Sequence, residues 1–229
     1  MPSSINSALA SWLAAGGSSI GEISITPHGS GWQLRHHADS STDPASLKPL
    51  DSPEALREMA KWDAAGNYRP LHSAPNLPSG WIASLPDLAS LRLALDFLYP
   101  AALANWLRWL DGTASACSLR DTFNRQSGMY RVTGLIRDSE AESLVTSSCH
   151  DGNCLRKVIW NLDGTTPWAG FPPDKTSAPS SAPELGQPIP ILCLDLCPIL
   201  LAAARETVKK RMKSESDAAK AAEAQASPA

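Results

Sequence analysis

The first half of the chain carries two hydrophobic periods in succession. Apolar residues near the N-terminus recur at the three-to-four-residue spacing that places them on one face of a helix: Ile5, Leu9, Trp12 and Leu13. Residues 21–26 and 31–37 instead alternate between apolar and polar positions, with glycine in the connection between them. The pattern predicts a short amphipathic helix followed by a β-hairpin.

Capping residues mark further helix starts before residue 112. Ser52 precedes Pro53, which is the arrangement of an N-cap and a first helical position. Residues 84–87 have the form of a capping box, and Pro100 stands where another helix begins. These elements predict that residues 1–112 form an α+β domain built from a hairpin and several helices.

The second half of the chain alternates strand-like and helix-like segments. Strand character is predicted for 129–137, 154–162 and 189–193, and helices are predicted for 138–149 and 195–208. Residues 163–190 hold seven prolines and are predicted to form a Pro-rich excursion. The Ala/Lys/Glu-rich residues 209–229 have no apolar face, which predicts a disordered or fraying tail. The fold class is therefore α+β, with a small α/β domain at 113–208 following the N-terminal domain.

Composition narrows the classes of function. The net charge of −3 and the pI of about 5.9 argue against a general nucleic-acid-binding surface, which would be basic. No apolar run approaches the ~20 residues that cross a bilayer, and the N-terminus lacks the basic segment of a secretory signal. We therefore expect a cytoplasmic protein with no membrane and no nucleic-acid partner. In a reducing compartment, clustered cysteines are metal ligands more often than disulfides.

Four of the five cysteines form two close pairs. Four residues separate Cys149 from Cys154, and three separate Cys193 from Cys197. The first pair encloses Asp-Gly-Asn, which favours a turn. Cys197 is predicted to lie in the first turn of the helix that begins at Asp195, directly before Pro198, where unpaired backbone N–H groups and the helix dipole stabilise thiolates. If folding brings the two pairs together, they form a cage for a metal centre.

Spacing alone leaves several interpretations of these cysteines open. Four thiolates suit structural zinc, but zinc sites usually contain C-x2-C pairs, so the separations here favour an iron–sulfur cluster. Buried cysteines are also ordinary core residues. Cys117 is a reserve ligand, and His150 could coordinate as imidazole does in Rieske centres or be a solvated loop residue.

Several stretches, in this order, resemble one known family. The stretches are 67–81 (NYRPLHSAPNLPSGW), 95–103 (LDFLYPAAL), 125–130 (RQSGMY), 149–156 (CHDGNCLR) and 189–193 (IPILC). Together they resemble the 4Fe-4S-binding domain and the companion stabilising domain that accompany short, CbiX-type sirohydrochlorin cobaltochelatases. The resemblance covers most of residues 20–208.

The resemblance implies a stabilising domain at 1–112 and a [4Fe–4S] domain at 113–208, with a link to tetrapyrrole metallation in sirohaem or cobalamin biosynthesis. By position, the cluster ligands are Cys149, Cys154, Cys193 and Cys197. We expect the cluster to serve electron transfer or redox sensing, because four cysteines would occupy every iron. The alternative is a zinc-binding interaction module without a redox role.

The sequence departs from the chelatases in one respect. We expect the chelatase domain itself to be absent, because the two accessory domains already occupy the chain. The adjacent His36 and His37 are predicted to point to opposite faces of a strand, which makes them a poor ligand pair. No phosphate loop or catalytic triad is present, so we expect no catalysis by this chain alone.

Partners follow from the same expectation. We expect a sirohydrochlorin chelatase subunit and an electron donor to bind this protein. Arg125 and Arg156 lie in the family-like stretches near the cysteines, and arginine suits both tetrapyrrole carboxylates and the surroundings of a cluster. These two residues are therefore candidate contacts to either group.

Overall fold

The computed structural model of the chain describes most of the sequence. It describes residues 4–62, 65–66, 77–114, 118–150, 154–158, 186–194 and 196–226, without the side chains of His150, Val158 and 223–226. The chain divides into two compact units that interleave in sequence. The first is Met1–Ser115, Asn153–Ile159 and Pro172–Leu194, and the second is Ala116–Gly152, Trp160–Phe171 and Asp195–Ala229. The mixture of a sheet with helices confirms the predicted α+β class.

The first unit contains a five-stranded sheet with the order β1-β2-β3-β5-β4 among the described residues. Its strands are β1 Ser19–Ile20, β2 Ile23–His28, β3 Gly31–His36, β4 Lys48–Leu50 and β5 Trp81–Leu85. The predicted hairpin is confirmed as β2 and β3, whose register pairs Ile25 with Leu34. Both side chains are buried, so the alternation seen in the sequence is the alternation between core and solvent.

Four helices cover the sheet of the first unit: α1 Ile5–Ala14, α2 Pro53–Met59, α3 Leu88–Leu98 and α4 Ala102–Leu110. Ser4 and Ser52 cap α1 and α2 by accepting a backbone N–H in the first turn. The cap of α3 is Asp87, whose carboxylate accepts the Ser90 N–H at 2.8 Å. Ser84 of the predicted capping box lies in β5 instead, because its strand pairing takes precedence.

A second, two-stranded sheet in this unit is parallel and joins β6 Lys157–Val158 to β7 Leu192–Cys193. The segment before β7 is fixed to the N-terminal part of the chain. The indole Nε1–H of Trp12 donates to the carbonyl oxygen of Gln187 at 2.6 Å, and Ile189 N–H donates to the Ser19 carbonyl oxygen at 3.0 Å. Both strands are shorter than predicted where the structure describes them.

Two buried carboxylates accept hydrogen bonds from the residues that lead into β5. Glu22 is only 8% exposed, and its carboxylate accepts the backbone N–H of Leu77 at 2.9 Å. Its other close neighbour is Nε2 of the buried His36, at 3.5 Å. Asp39 accepts the N–H of Gly80 at 2.7 Å, so both ends of residues 77–80 are tied to buried acids.

The two adjacent histidines differ in environment. His36 ends β3 and is buried, with Nδ1 accepting the Ala38 N–H at 3.1 Å. His37 begins a short 3-10 turn and is exposed. Nε2 of His36 lies 3.5 Å from the Glu22 carboxylate and is buried without a hydrogen-bond partner among the described residues.

The second unit is helical in its described part. It comprises α5 Leu119–Asn124, a 3-10 helix Gly128–Leu135, α6 Asp138–Val145, a π-helical turn Thr146–His150, and the long helix α7 Pro198–Ala226. None of the described helices of either unit combines the length and apolar character that spanning a membrane requires.

The predicted strand at 129–137 is wrong, because most of this segment forms the 3-10 helix. Its apolar positions do not share a buried face, since Met129 is 67% and Leu135 57% exposed. The buried Thr133 hydroxyl donates to the carbonyl oxygen of Tyr130, three residues earlier, at 2.8 Å. Such local bonds favour a tight helix over a strand ladder.

The long helix α7 also differs from the predicted one. It begins at Pro198 instead of Asp195, and it continues through Ala226, so the segment expected to be a disordered or fraying tail is helical as far as it is described. Alanine, lysine and glutamate are strong helix formers, which explains the continuation without an apolar face. Arg211 within this segment also contacts Glu140 of α6 at 2.9 Å.

Replacing Glu22 by alanine is expected to lower the free energy of unfolding by about 1–3 kcal/mol, because the Leu77 N–H and His36 would lose a buried partner. Urea unfolding followed by tryptophan fluorescence measures this. The control is Glu58→Ala, which removes a carboxylate that is 66% exposed and paired with Lys61. Equal losses in the two variants would contradict the anchoring role of Glu22.

Asp87 should make stability depend on pH. The backbone N–H and the hydroxyl of Ser90 hold the pKa of Asp87 below its ordinary value of 3.8. The cap's contribution is therefore complete above that value and is lost as pH falls through the lowered pKa. Asp87→Asn keeps the accepting oxygen without titrating, so wild type should lose stability relative to this variant in acid. Asp87→Ala should have a lower free energy of unfolding than Asp87→Asn at every pH. Parallel curves of unfolding free energy against pH for wild type and Asp87→Asn would refute the assignment.

Candidate metal centre

Cys149 lies in a turn of unusual geometry in the second unit. The π-helical turn Thr146–His150 continues α6, and Cys149 is buried on the same face as Ala141 and Val145. Each is four residues from the next, which is the spacing of one helix face. Single π turns in helices occur often at functional sites, because the widened turn redirects a side chain.

Cys197 occupies the N-cap position of α7. Its Sγ accepts the backbone N–H of Leu200 at 3.5 Å, and its carbonyl oxygen accepts the N–H of Leu201 at 3.0 Å. Pro198 stands at the first helical position, where a missing N–H costs nothing. The thiol therefore lies at the positive end of a long helix, as predicted, and accepts a backbone hydrogen bond there.

The relative direction of α6 and α7 determines at which end of the helix pair Cys149 and Cys197 lie. Arg211 contacts Glu140 at 2.9 Å, and Arg137 contacts Glu215 at 2.7 Å, so the two helices run antiparallel. Cys149 lies C-terminal to Glu140 along α6 and its π-helical turn, and Cys197 lies N-terminal to Arg211 along α7. At 1.5 Å per residue these two separations are about 13 and 21 Å. Both thiols consequently lie towards the same end of the helix pair.

The other two cysteines belong to the first unit. Cys193 ends β7 and is buried, whereas Cys154 precedes β6 and is partly exposed. The register of the two strands places Cys193 opposite Val158 instead of Cys154. The structure thus fixes Cys193 in a strand ladder, while Cys154 lies on the connection that leads into it.

Arg156 is the candidate contact nearest to a cysteine in sequence. Its Nε is buried and has no hydrogen-bond partner in the described part of the chain. Arg125 is exposed at the C-terminal end of α5, where its backbone N–H donates to the Asp121 carbonyl oxygen at 3.0 Å. Arg120 donates to the Ile136 carbonyl oxygen at 2.8 Å and also pairs with Asp138, which makes it structural.

The structure divides the predicted ligand set between the two units. Within neither unit do three or more described His, Cys, Asp or Glu side chains group closely enough to hold one metal ion. Cys149 and Cys197 fall in one unit and Cys154 and Cys193 in the other. Cys117 lies outside the described residues, as does the side chain of His150. The four-cysteine set therefore stays a prediction.

Comparison with known families assigns the chemistry. Residues 5–109 match the family described as the DR2241 stabilising domain, and residues 111–206 match the 4Fe-4S iron–sulfur cluster binding domain. The chain thus resembles a stabilising domain followed by a 4Fe-4S domain, and its cofactor is a [4Fe–4S] cluster. This confirms the iron–sulfur interpretation over zinc.

A solved structure shares the fold. The chain is 29% identical to DR2241 from Deinococcus radiodurans over 89% of its own length, with a TM-score of 0.72. It spans only 42% of that protein. DR2241 is described as a multi-domain protein with structural similarity to chelatases and with two additional novel domains. None of the curated proteins compared with the chain matches it.

The donor chemistry of the described residues fits this cofactor. Thiolates are the ligands of iron–sulfur clusters, and hydrogen bonds to sulfur adjust their potential. The Leu200 N–H already supplies such a bond to Cys197, and the buried Nε of Arg156 offers a donor two residues from Cys154.

Replacing any one of the four paired cysteines by serine should remove or degrade the cluster, because each thiolate would bond one iron. The variants are Cys149→Ser, Cys154→Ser, Cys193→Ser and Cys197→Ser, each purified without oxygen. Iron content and visible absorption per chain are the readouts. Cys117→Ser is the matched control and should keep the cluster; loss of the cluster in this control with retention in one of the four would overturn the ligand set.

Proposed function

We propose that this chain is an iron–sulfur accessory protein that works beside a tetrapyrrole chelatase, with its cluster in electron transfer or redox sensing. The match of residues 111–206 to a 4Fe-4S cluster binding domain carries this proposal. The chelatase similarity of DR2241, which shares the fold of most of this chain, supplies the link to metallation.

The cysteines would hold the cluster at the ends of regular elements. Cys149, Cys154, Cys193 and Cys197 would each bond one iron, and the bound cluster supplies one-electron chemistry. With every iron bonded to a cysteine, no iron is open to a substrate. The role proposed is therefore electron transfer or sensing.

Local structure supports this use of Cys197. The side chain is fixed by its position as a helix cap, with the Leu200 N–H donated to Sγ. A thiolate in this place is stabilised by the helix dipole without a positively charged side chain. The side chain of Cys197 is thus ordered before any metal binds, which lowers the conformational entropy that is lost on binding.

The proposed partner is a chelatase of the CbiX type that inserts cobalt into sirohydrochlorin. DR2241 contains, besides two additional domains, a part that resembles chelatases, and our chain spans 42% of its length. We propose that a chelatase with which this chain associates supplies the corresponding activity. An electron donor in the cytoplasm would reduce the cluster.

The first test is the metal content of the protein purified anaerobically. We expect about four irons and four sulfides per chain, with a brown colour that bleaches on addition of dithionite. Iron, acid-labile sulfide and zinc analyses, with absorption spectra before and after reduction, measure this. One tightly bound zinc without sulfide would contradict the proposal.

The second part of the test concerns the chelatase. Cobalt insertion into sirohydrochlorin by a short CbiX-type chelatase is followed with oxidised and with dithionite-reduced holoprotein, and excess dithionite is removed beforehand. We expect the rate to differ between the two redox states. The cluster-free Cys197→Ser variant serves as the control, and identical rates for all three proteins would remove the proposed link to metallation.

A further inference from the structure

Arg156 carries a buried nitrogen, Nε, that has no hydrogen-bond partner among the described residues. Other arginines of the chain are paired: Arg120 with Asp138, and Arg211 with Glu140. A buried N–H without an acceptor is rare in folded proteins and indicates a partner that the protein chain does not provide.

The position of Arg156 is fixed by its neighbours. Leu155 packs against the core of the first unit. Lys157 begins β6 and donates its backbone N–H to the Ile191 carbonyl oxygen at 2.7 Å. The backbone on both sides of Arg156 is therefore held by packing and by a strand ladder. The Nε atom of Arg156 is buried at this position, and no ion pair with a described residue accounts for its burial.

Cys154 lies two residues before Arg156, on the same connection into β6. A [4Fe–4S] cluster bonded by four thiolates is an anion in both redox states, and reduction adds one more negative charge. A nearby cation stabilises the reduced state more than the oxidised one, which raises the reduction potential. An N–H donor to sulfur acts in the same direction.

We propose that Arg156 sets the reduction potential of the cluster by supplying the positive charge that its reduced form requires. This inference rests on the proposed function, because it needs the cluster in place. Arg156 would act on the cluster through its charge, whereas Arg125 is exposed.

The test is a spectroelectrochemical titration of the anaerobic holoprotein, with iron and sulfide content measured on every sample. For Arg156→Gln we expect the ratio of reduced to oxidised cluster, at the wild-type midpoint, to fall about tenfold, which is about 59 mV for one electron. Arg156→Lys keeps the charge and should recover most of the wild-type potential. Lys157→Gln is the matched control; it removes the same charge one residue further along, at the start of β6, and should shift the ratio less than about twofold.

The outcomes separate this inference from the proposed function. An intact cluster of unchanged potential in Arg156→Gln overturns the role of Arg156 and leaves the iron–sulfur protein in place. An equal shift in Lys157→Gln also overturns it, because the effect would then be general. If Arg156→Gln loses the cluster, retention in Arg156→Lys supports the charge and loss in both variants refutes it. Absence of a cluster from wild type would refute the proposed function itself.

Discussion

The antiparallel contact between α6 and α7 is the interaction on which the second unit depends. The ion pair of Arg211 with Glu140 is 2.9 Å long, and both side chains are only 18% exposed. A charge pair so far removed from water is costly to break, because either partner alone would remain desolvated. The Arg137–Glu215 pair repeats the contact one turn further along α7. Together they set the direction of the helices and so determine which ends carry the cysteines.

The first unit depends on a different constraint. There Glu22 and Asp39 accept the backbone N–H groups of Leu77 and Gly80, just before β5 begins. This fixes the entry to β5, and β5 in turn joins β3 to the parallel strand β4. The same unit holds Cys193 in a strand, with Gln187 before it hydrogen-bonded to Trp12. Cys193 thus lies in a strand that follows core residues of the first unit, Ile189 and Ile191.

The sequence predicts those helices and strands whose buried residues recur at one regular spacing along the chain. The hairpin and the capped helices α1 and α2 are of this kind, because their apolar residues face one core and their caps are local. A helix start close to Cys197 is also visible in advance, although the helix begins at Pro198 instead of the predicted Asp195 and Cys197 is its cap. In such cases the signal lies within a few residues of the feature.

Tertiary contacts decide the features that the sequence does not predict. The segment 129–137 alternates like a strand, yet Arg205 and Arg211 donate to its carbonyl oxygens at Met129 and Leu135 and hold it along α7. These partners are more than seventy residues away. The buried Nε of Arg156 likewise has no signature in the sequence, where the residue is one arginine among several. Its isolation is seen only when the surrounding chain is in place.

The central claim is that one [4Fe–4S] cluster bonds to Cys149, Cys154, Cys193 and Cys197. The most direct measurement is a crystal structure of the anaerobically purified protein, with iron located by anomalous scattering at its absorption edge. The account predicts four irons in one cluster, each bonded to the Sγ of one of these residues. A single metal ion, or a cluster with Cys117 or a non-cysteine ligand in place of one of the four, would contradict it.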